Sequence, residues 1–292
     1  WGGAGAVRDG RAHPAPGTDP GGPCRTPAGF CGLVGYKPTA RRIPREGAFP
    51  LSFSLDSVGP LARSVACCAA ADAILAGEEP LPLHPRPVVG LRLLMPNGIA
   101  FDSLDREVMV TFEAAVVKLS DAGARILSAP FPEFEEVAAL NAKGGFSAAE
   151  SYAVHRARLA ERGHEYDPRV SVRIRRGAEQ SAADYVEIVE ARRKLIVRAA
   201  ERLAPFDALL MPTVAILPPR IADLAGDDAA YGRANLLALR NPSLINNLDG
   251  CAISLPLTGA GGEPVGLMLA GPPGGDAALL AIAAGVEAAL QE

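Results

Sequence analysis

GTDPGGPCRTPAGFCGLVGYKPT, residues 17–39, joins a tight bend to a segment that returns the chain to a core. Gly21 and Gly22 carry no side chains, so the backbone N–H groups of the bend can converge on one point, as an oxyanion hole requires. Asp19 and Arg25 flank the bend and could hold it rigid through hydrogen bonds and opposite charge. The stretch therefore predicts a loop that presents amide donors to a reacting group.

The composition indicates a protein with a large core and no strong net charge. Hydrophobic residues make up 49% of the 292 residues, and the formal net charge is −4. The 29 basic residues are scattered without an arginine-rich tract, which argues against nucleic acid or a membrane as the main partner. The five cysteines show neither metal-binding spacing nor an even disulfide framework, which favours a reducing, cytoplasmic location.

Beyond the bend, alternating strand and helix patterns predict an α/β fold. Val88–Pro96 has the pattern of a strand, Leu104–Ala122 that of an amphipathic helix, and Arg125–Ser128 that of a second strand. This order is typical of a βαβ unit. Phe206–Ala215 predicts a buried strand, and Cys251–Gly271 predicts a β-hairpin.

The remaining segments predict helices and loops. Ser57–Gly77 has helical spacing, and residues 133–203 are mostly helical and heavily charged. Tyr231–Leu248 predicts a helix with a break at Asn241–Pro242, because proline cannot donate the backbone hydrogen bond of a helix interior. The Gly- and Pro-rich residues 1–50 predict loops and short strands.

Several segments, in the same order along the chain, resemble the amidase-signature family of amide hydrolases. The segments are Gly17–Thr39, Arg41–Val65, Arg175–Leu195 and Asn241–Pro272. The resemblance implies an α/β fold in which a mixed β-sheet core is sandwiched between helices. It also implies a single domain over residues 1–292, incomplete at its N-terminus, with a helical insertion on the substrate side at about residues 133–203.

The chemistry that the resemblance implies is hydrolysis of an amide C–N bond by a Ser–cis-Ser–Lys relay. A neutral lysine deprotonates the bridging serine, which activates the nucleophilic serine to attack the carbonyl carbon. The reaction passes through an acyl-enzyme and needs no metal and no organic cofactor. The resemblance therefore implies a small-molecule amide as the substrate, and it leaves a homodimer open.

The groups that should react are missing from this sequence. The resemblance places the nucleophilic serine at Pro23, the bridging serine just upstream of the phrase Trp1–Ala6, and the base further upstream. It matches Lys37 to a structural lysine rather than to the base. Proline has no hydroxyl, and losing the nucleophile costs a serine hydrolase about a million-fold in turnover. The chain as it stands is therefore predicted not to hydrolyse amides.

Proline also weakens the predicted oxyanion hole. The resemblance assigns the hole and its supports to Pro20, Gly21, Gly22 and Pro23, and to Asp19 and Arg25 respectively. Neither proline has an N–H, so only the amides of the two glycines remain as donors. Each lost donor costs about 3–4 kcal/mol of transition-state stabilisation.

Cys24 lies beside the nucleophile position and carries a thiol. A reactive thiolate needs a nearby base or an electropositive helix end, and the loop offers only Arg25. A buried structural thiol is therefore the preferred interpretation of Cys24.

Aromatic residues in the helical insertion are candidates for lining the substrate pocket. They are Phe146, Tyr152 and Tyr185. A plain core role explains each of these side chains equally well.

More than one function is consistent with these patterns. The first hypothesis is an amidase whose intact form carries a serine at position 23. The second is a non-catalytic binding protein, a pseudoenzyme that retains the pocket. The third is the glutaminase component of a tRNA-dependent amidotransferase, which requires a partner protein.

Overall fold

The computed structural model describes residues 2–291. Trp1 and Glu292 lie outside the described residues, so the phrase Trp1–Ala6 is described from Gly2 onward. The strands are β1 (Ala15–Thr18), β2 (Val34–Lys37), β3 (Val58–Ala62), β4 (Arg92–Asn97), β5 (Arg125–Pro130), β6 (Ala208–Pro212), β7 (Cys251–Thr258) and β8 (Pro264–Gly271). The helices are α1 (Gly2–Arg8), α2 (Arg25–Cys31), α3 (Val65–Leu75), α4 (Arg106–Asp121), α5 (Glu133–Leu140), α6 (Gly145–Arg162), α7 (Pro168–Arg175), α8 (Ala182–Leu203), α9 (Ile221–Ala225), α10 (Asp228–Asn247) and α11 (Asp276–Gln291).

The strands form one mixed sheet in the order β1-β3-β2-β7-β8-β6-β4-β5. Strand β4 runs parallel to both β5 and β6, and the other neighbouring pairs are antiparallel. The βαβ unit predicted from residue 88 onward is confirmed as β4-α4-β5, and the predicted hairpin is confirmed as β7-β8. The predicted mixed α/β sheet is therefore confirmed.

Helices cover both faces of the sheet, because successive side chains of a strand point to opposite faces. Leu93 and Leu210 lie in a buried cluster that includes Phe112 of α4 and residues of α11. Leu94 and Leu209 lie in a second cluster with residues of α5, α8 and α10. Each fully buried leucine or phenylalanine contributes about 1.5–3 kcal/mol relative to an exposed one. The predicted sandwich of a sheet between helices is thus present.

The prediction of a helix over Ser57–Gly77 was wrong for its first part. Residues Val58–Ala62 form β3, which pairs with β1 on one side and β2 on the other. Helix α3 begins only after Ser64, whose hydroxyl caps it by accepting a hydrogen bond from the Cys67 N–H at 3.2 Å. Pairing with strands distant in sequence therefore overrides the local helical spacing.

The N-terminal residues contain two helices, α1 and α2, where only loops and short strands were predicted. Glycine disfavours a helix interior, but tertiary contacts compensate in α1. Ala4 and Val7 are buried against Leu61 of β3. A Cβ at Gly3 would lie 3.1 Å from the Cβ of Ala15, so the small residue allows the close approach to β1.

The predicted break at Asn241–Pro242 was also wrong, because α10 runs through Pro242 without interruption. The missing N–H of Pro242 leaves the carbonyl of Ala238 without its partner in the helix. The Thr26 hydroxyl of α2 donates to this carbonyl at 3.0 Å. The Asn241 amide donates to the Pro212 carbonyl at 2.8 Å and to that of Ala100 at 2.9 Å. Side chains thus replace the lost helix bond.

Between β5 and β6 the chain forms α5 to α8, over the range that was predicted to be mostly helical. Helix α8 begins with a capping box, in which Ser181 and Asp184 each bind the other's backbone N–H. Among residues 2–291, no helix is both long and apolar enough to cross a membrane.

Candidate active site

The glycine bend, residues 19–25, connects the end of β1 to the start of α2. Gly22 has φ +125°, a conformation that side chains rarely adopt. A Cβ at Gly22 would also lie 2.7 Å from the Cβ of Pro242 and 2.9 Å from the Thr26 hydroxyl oxygen. Only glycine fits this position, so the bend packs directly against α10.

A buried ion pair holds the bend. The Arg25 Nε and Nη2 atoms each donate to a carboxylate oxygen of Asp19 at 3.0 Å, and both side chains are fully buried. Arg25 also donates to the Pro242 carbonyl at 3.1 Å and to the side-chain oxygen of Asn246. Burial would raise the pKa of Asp19, but the charge and hydrogen bonds of Arg25 hold that pKa below its usual value. The structure thus brings together the two residues expected to support the loop.

The backbone of Asp19 is also fully bonded. Its N–H donates to the Ser57 carbonyl at 2.7 Å, and its carbonyl accepts from the Ser57 hydroxyl at 3.0 Å and from the Asn246 amide. These bonds tie the bend to the end of β3 and to α10. The start of the bend is therefore rigid.

One carboxylate oxygen of Asp19 has a consequence for the oxyanion hole. It accepts the Gly22 N–H at 2.5 Å, which commits that amide to the bend. Pro20 and Pro23 have no N–H. Among the described residues, the Gly21 N–H alone in this run lacks a protein acceptor. The structure therefore leaves one free donor, where the sequence predicted two.

The bend opens on a cavity of about 410 Å³, a volume suited to a small ligand. Pro20, Gly21 and Pro23 line one side of it. The other lining residues are Leu51, Leu55, Asn141, Gly144, Ser147, Ala148, Ser151, Val170, Arg173, Ile174, Arg176, Leu239, Ser243 and Asn247. The structure thus places position 23 beside a cavity that α6, α7 and α10 enclose.

The predicted aromatic residues do not line this cavity. Phe146 is buried and meets the ring of Tyr185 edge-on, with 5.9 Å between the ring centroids. The Tyr185 hydroxyl donates to Glu150 at 2.7 Å, and Tyr152 packs near Gly177. These side chains therefore pack among the helices, away from the cavity.

The helical repeat of α6 explains why smaller residues line the cavity instead. Side chains four positions apart share one face of a helix. Phe146 and Glu150 share the face towards α8, whereas Ser147 and Ser151 share the face towards the cavity. The sequence signal for the lining was this pair of serines, which the search for large aromatic residues missed.

Glu150 fixes the loop that forms another wall of the cavity. Its carboxylate accepts from both the hydroxyl of Ser54, at 2.5 Å, and the backbone N–H of Ser54, at 3.0 Å. The hydroxyl groups of Ser52 and Tyr185 donate to the same carboxylate. Because these bonds hold residues 51–57 against α6 and α8, Leu51 and Leu55 are positioned at the cavity.

Cys24 and Lys37 both have structural surroundings. The Cys24 thiol is fully buried, donates weakly to the Gly59 carbonyl at 3.5 Å, and has its pKa raised by burial. The Lys37 ammonium group donates to the carbonyls of Pro38 and Gly250 at 2.7 and 2.8 Å, and burial lowers its pKa to about 8. A thiol with a raised pKa is a poor nucleophile, which supports the structural interpretation of Cys24.

The mixed sheet and the braced bend define an α/β protein with an amide-bearing loop beside a ligand-sized cavity. The family model named Amidase matches residues 2–280, and the chain belongs to this family.

Relatives and solved structures agree with this assignment. The chain is 38% identical over 288 residues to 2-amino-5-chloromuconic acid deaminase of Comamonas testosteroni, covering 96% of this chain and 61% of that protein. It is 31% identical over 310 residues to the glutamyl-tRNA(Gln) amidotransferase protein GatA-type component of Moorella thermoacetica, covering 94% of this chain and 63% of that protein. A crystal structure of an amidase superposes with a TM-score of 0.87 at 31% identity, covering 99% of this chain and 65% of that one. The chain thus spans less than two thirds of the length of each.

Proposed function

We propose that the cavity beside the glycine bend is an amide-hydrolase site in which position 23 is the slot of the attacking serine. The observation that carries this proposal is the position of Pro23, which lines the cavity next to Gly21, whose N–H is free. The family assignment and the buried Asp19–Arg25 brace support it. The reaction is hydrolysis of a carboxylic amide C–N bond through an acyl-enzyme.

With proline at position 23, this chain should bind an amide but not cleave it. Proline offers no hydroxyl to attack the carbonyl carbon, and a single free N–H stabilises an oxyanion weakly. Neither the bridging serine nor the base of the family has a counterpart in the sequence. A serine at position 23 of an intact relative would attack the amide carbonyl from the floor of this cavity.

Two other functions are kept as alternatives. Because Gly22 uses its N–H within the bend and both prolines lack one, a non-catalytic binding protein is the first. The second is the glutaminase component of an amidotransferase, which the similarity to the Moorella protein supports. This alternative requires a partner protein that delivers the tRNA substrate.

Turnover of an aryl amide tests these functions. The protein is expressed from its source gene together with any residues encoded before Trp1, and release of 4-nitroaniline from 4-nitroacetanilide is measured. The unaltered protein should be inactive. The double change Pro20→Thr with Pro23→Ser should raise the rate at least about a thousand-fold, because the nucleophile alone is worth about a million-fold.

Failure of the double variant, if it folds like the unaltered protein, would favour the binding protein. Co-purification with a tRNA-binding protein would instead favour the amidotransferase.

We further propose a cytoplasmic location and leave a homodimer as a proposal. All five cysteines are free thiols, which a reducing compartment maintains. Light scattering of the purified protein would measure its oligomeric state.

A further inference from the structure

The charges that line the cavity are all of one sign. Arg173 and Arg176 line its rim, and no aspartate or glutamate is among its described lining residues. The nearest acidic residue on α6 is Glu150, whose carboxylate is bonded to Ser52, Ser54 and Tyr185. The cavity therefore presents positive charge to a ligand without a compensating carboxylate.

These two arginines differ from other arginines of the same helical region. Arg169 is paired with Asp228 at 2.7 Å, and Arg162 is paired with Glu165 at 2.7 Å. Neither Arg173 nor Arg176 forms an ion pair within residues 2–291. The guanidinium of Arg173 lies 5.7 Å from the ring centroid of Tyr231, a contact that leaves its N–H donors available.

A second, independent feature lies on the α10 side of the cavity. Asn247 is buried and lines the cavity, and its amide donates to the Ser243 carbonyl at 2.9 Å. Its side-chain oxygen, Oδ1, has no hydrogen-bond partner among the described residues. A buried acceptor without a donor costs about 1–3 kcal/mol, which a ligand N–H can recover.

We propose that the ligand of this cavity is a short amide that carries a free carboxylate. The carboxylate lies against Arg173 and Arg176, whose planar guanidinium groups suit two-pronged hydrogen bonding to carboxylates. The N–H of the amide lies against Asn247. The absence of a lining carboxylate disfavours a ligand with an ammonium group, such as glutamine. This inference rests on the proposed function, because it assumes that the cavity binds an amide.

Binding of matched compounds tests the charge requirement. Ligand-observed NMR titrations of the unaltered protein compare succinamate, its neutral methyl ester and L-glutamine. Succinamate should bind about tenfold more tightly than the ester, since hydrogen bonds to charged groups contribute about 1.5–3 kcal/mol. The preference should shrink as the salt concentration rises, because the rim is open to solvent. Glutamine should bind more weakly than succinamate.

Variants locate the charge. Arg173→Ala and Arg176→Ala should each weaken succinamate binding several-fold and leave binding of the ester unchanged. Arg175→Ala is the matched control, because Arg175 is adjacent in sequence and does not line the cavity. It should change neither affinity. Circular dichroism of each variant verifies that it is folded.

The contrary outcomes separate the two levels of the proposal. Equal binding of succinamate and its ester, or equal losses in Arg173→Ala and Arg175→Ala, would overturn the anionic ligand while leaving an amide site. Tighter binding of glutamine than of succinamate would overturn it in favour of the amidotransferase. Binding of neither amide at millimolar concentration would overturn the cavity as an amide site, and with it the proposed function.

Discussion

The glycine bend and the rim of the cavity are neighbours, yet they use arginine in opposite ways. Arg25 in the bend is fully buried and bonds to Asp19, Asn246 and a backbone carbonyl. Arg173 at the rim is exposed and has no carboxylate partner among the described residues. The bend therefore keeps its charges for its own structure, whereas the rim keeps its charge for a ligand. Loss of the reacting serine leaves both arrangements intact.

Removing the buried arginine should give the largest effect on stability. Arg25→Ala leaves Asp19 buried without its partner, which costs about 3–5 kcal/mol of unfolding free energy. Arg173→Ala, at the rim, should change the same quantity by no more than about 0.5 kcal/mol. Urea denaturation of both variants measures the difference. Similar losses in the two variants would show that the contrast between bend and rim is wrong.

A smaller loss is expected where α2 meets α10. Thr26→Val keeps the shape of the side chain but removes the hydroxyl that donates to the Ala238 carbonyl. The carbonyl is then left without a donor inside the protein, which costs about 1–3 kcal/mol. Thr26→Ser retains the hydroxyl and should restore most of the stability. If both variants unfold at the same urea concentration, the hydroxyl does not compensate for Pro242.

The sequence was sufficient where neighbouring residues determine structure. The β4-α4-β5 unit and the β7-β8 hairpin follow from short-range periodicity, and both were predicted. Strand β3 was not, because its apolar spacing also suits a helix and its pairing partners lie far away in the chain. The uninterrupted α10 was missed for the same reason, since Thr26 lies more than 200 residues before Ala238 (|i−j| = 212).

The candidate site divides in the same way. Gly21, Gly22, Asp19 and Arg25 were identified from the sequence because a tight bend and a charge pair have short-range signatures. The commitment of the Gly22 N–H to Asp19 could not be seen without coordinates.

The lining of the cavity depends on the phase of α6 and α7, which sequence alone leaves undetermined. Large aromatic residues were chosen as the signal, but in the structure Phe146 and Tyr185 pack with each other. The arginines of the rim were hidden in a run of similar charged residues, because nothing in the sequence marks which of them lack partners.

The most direct test of the central claim is the mass of a trapped acyl-enzyme. The Pro20→Thr, Pro23→Ser variant, expressed from the source gene with any residues encoded before Trp1, is incubated with 4-nitroacetanilide, quenched in acid and digested. An acetyl group on position 23 is predicted, and it should be absent from the Pro20→Thr variant. An acetyl group on Cys24 instead, or on neither position in a folded double variant, would contradict the assignment of position 23 as the attacking slot.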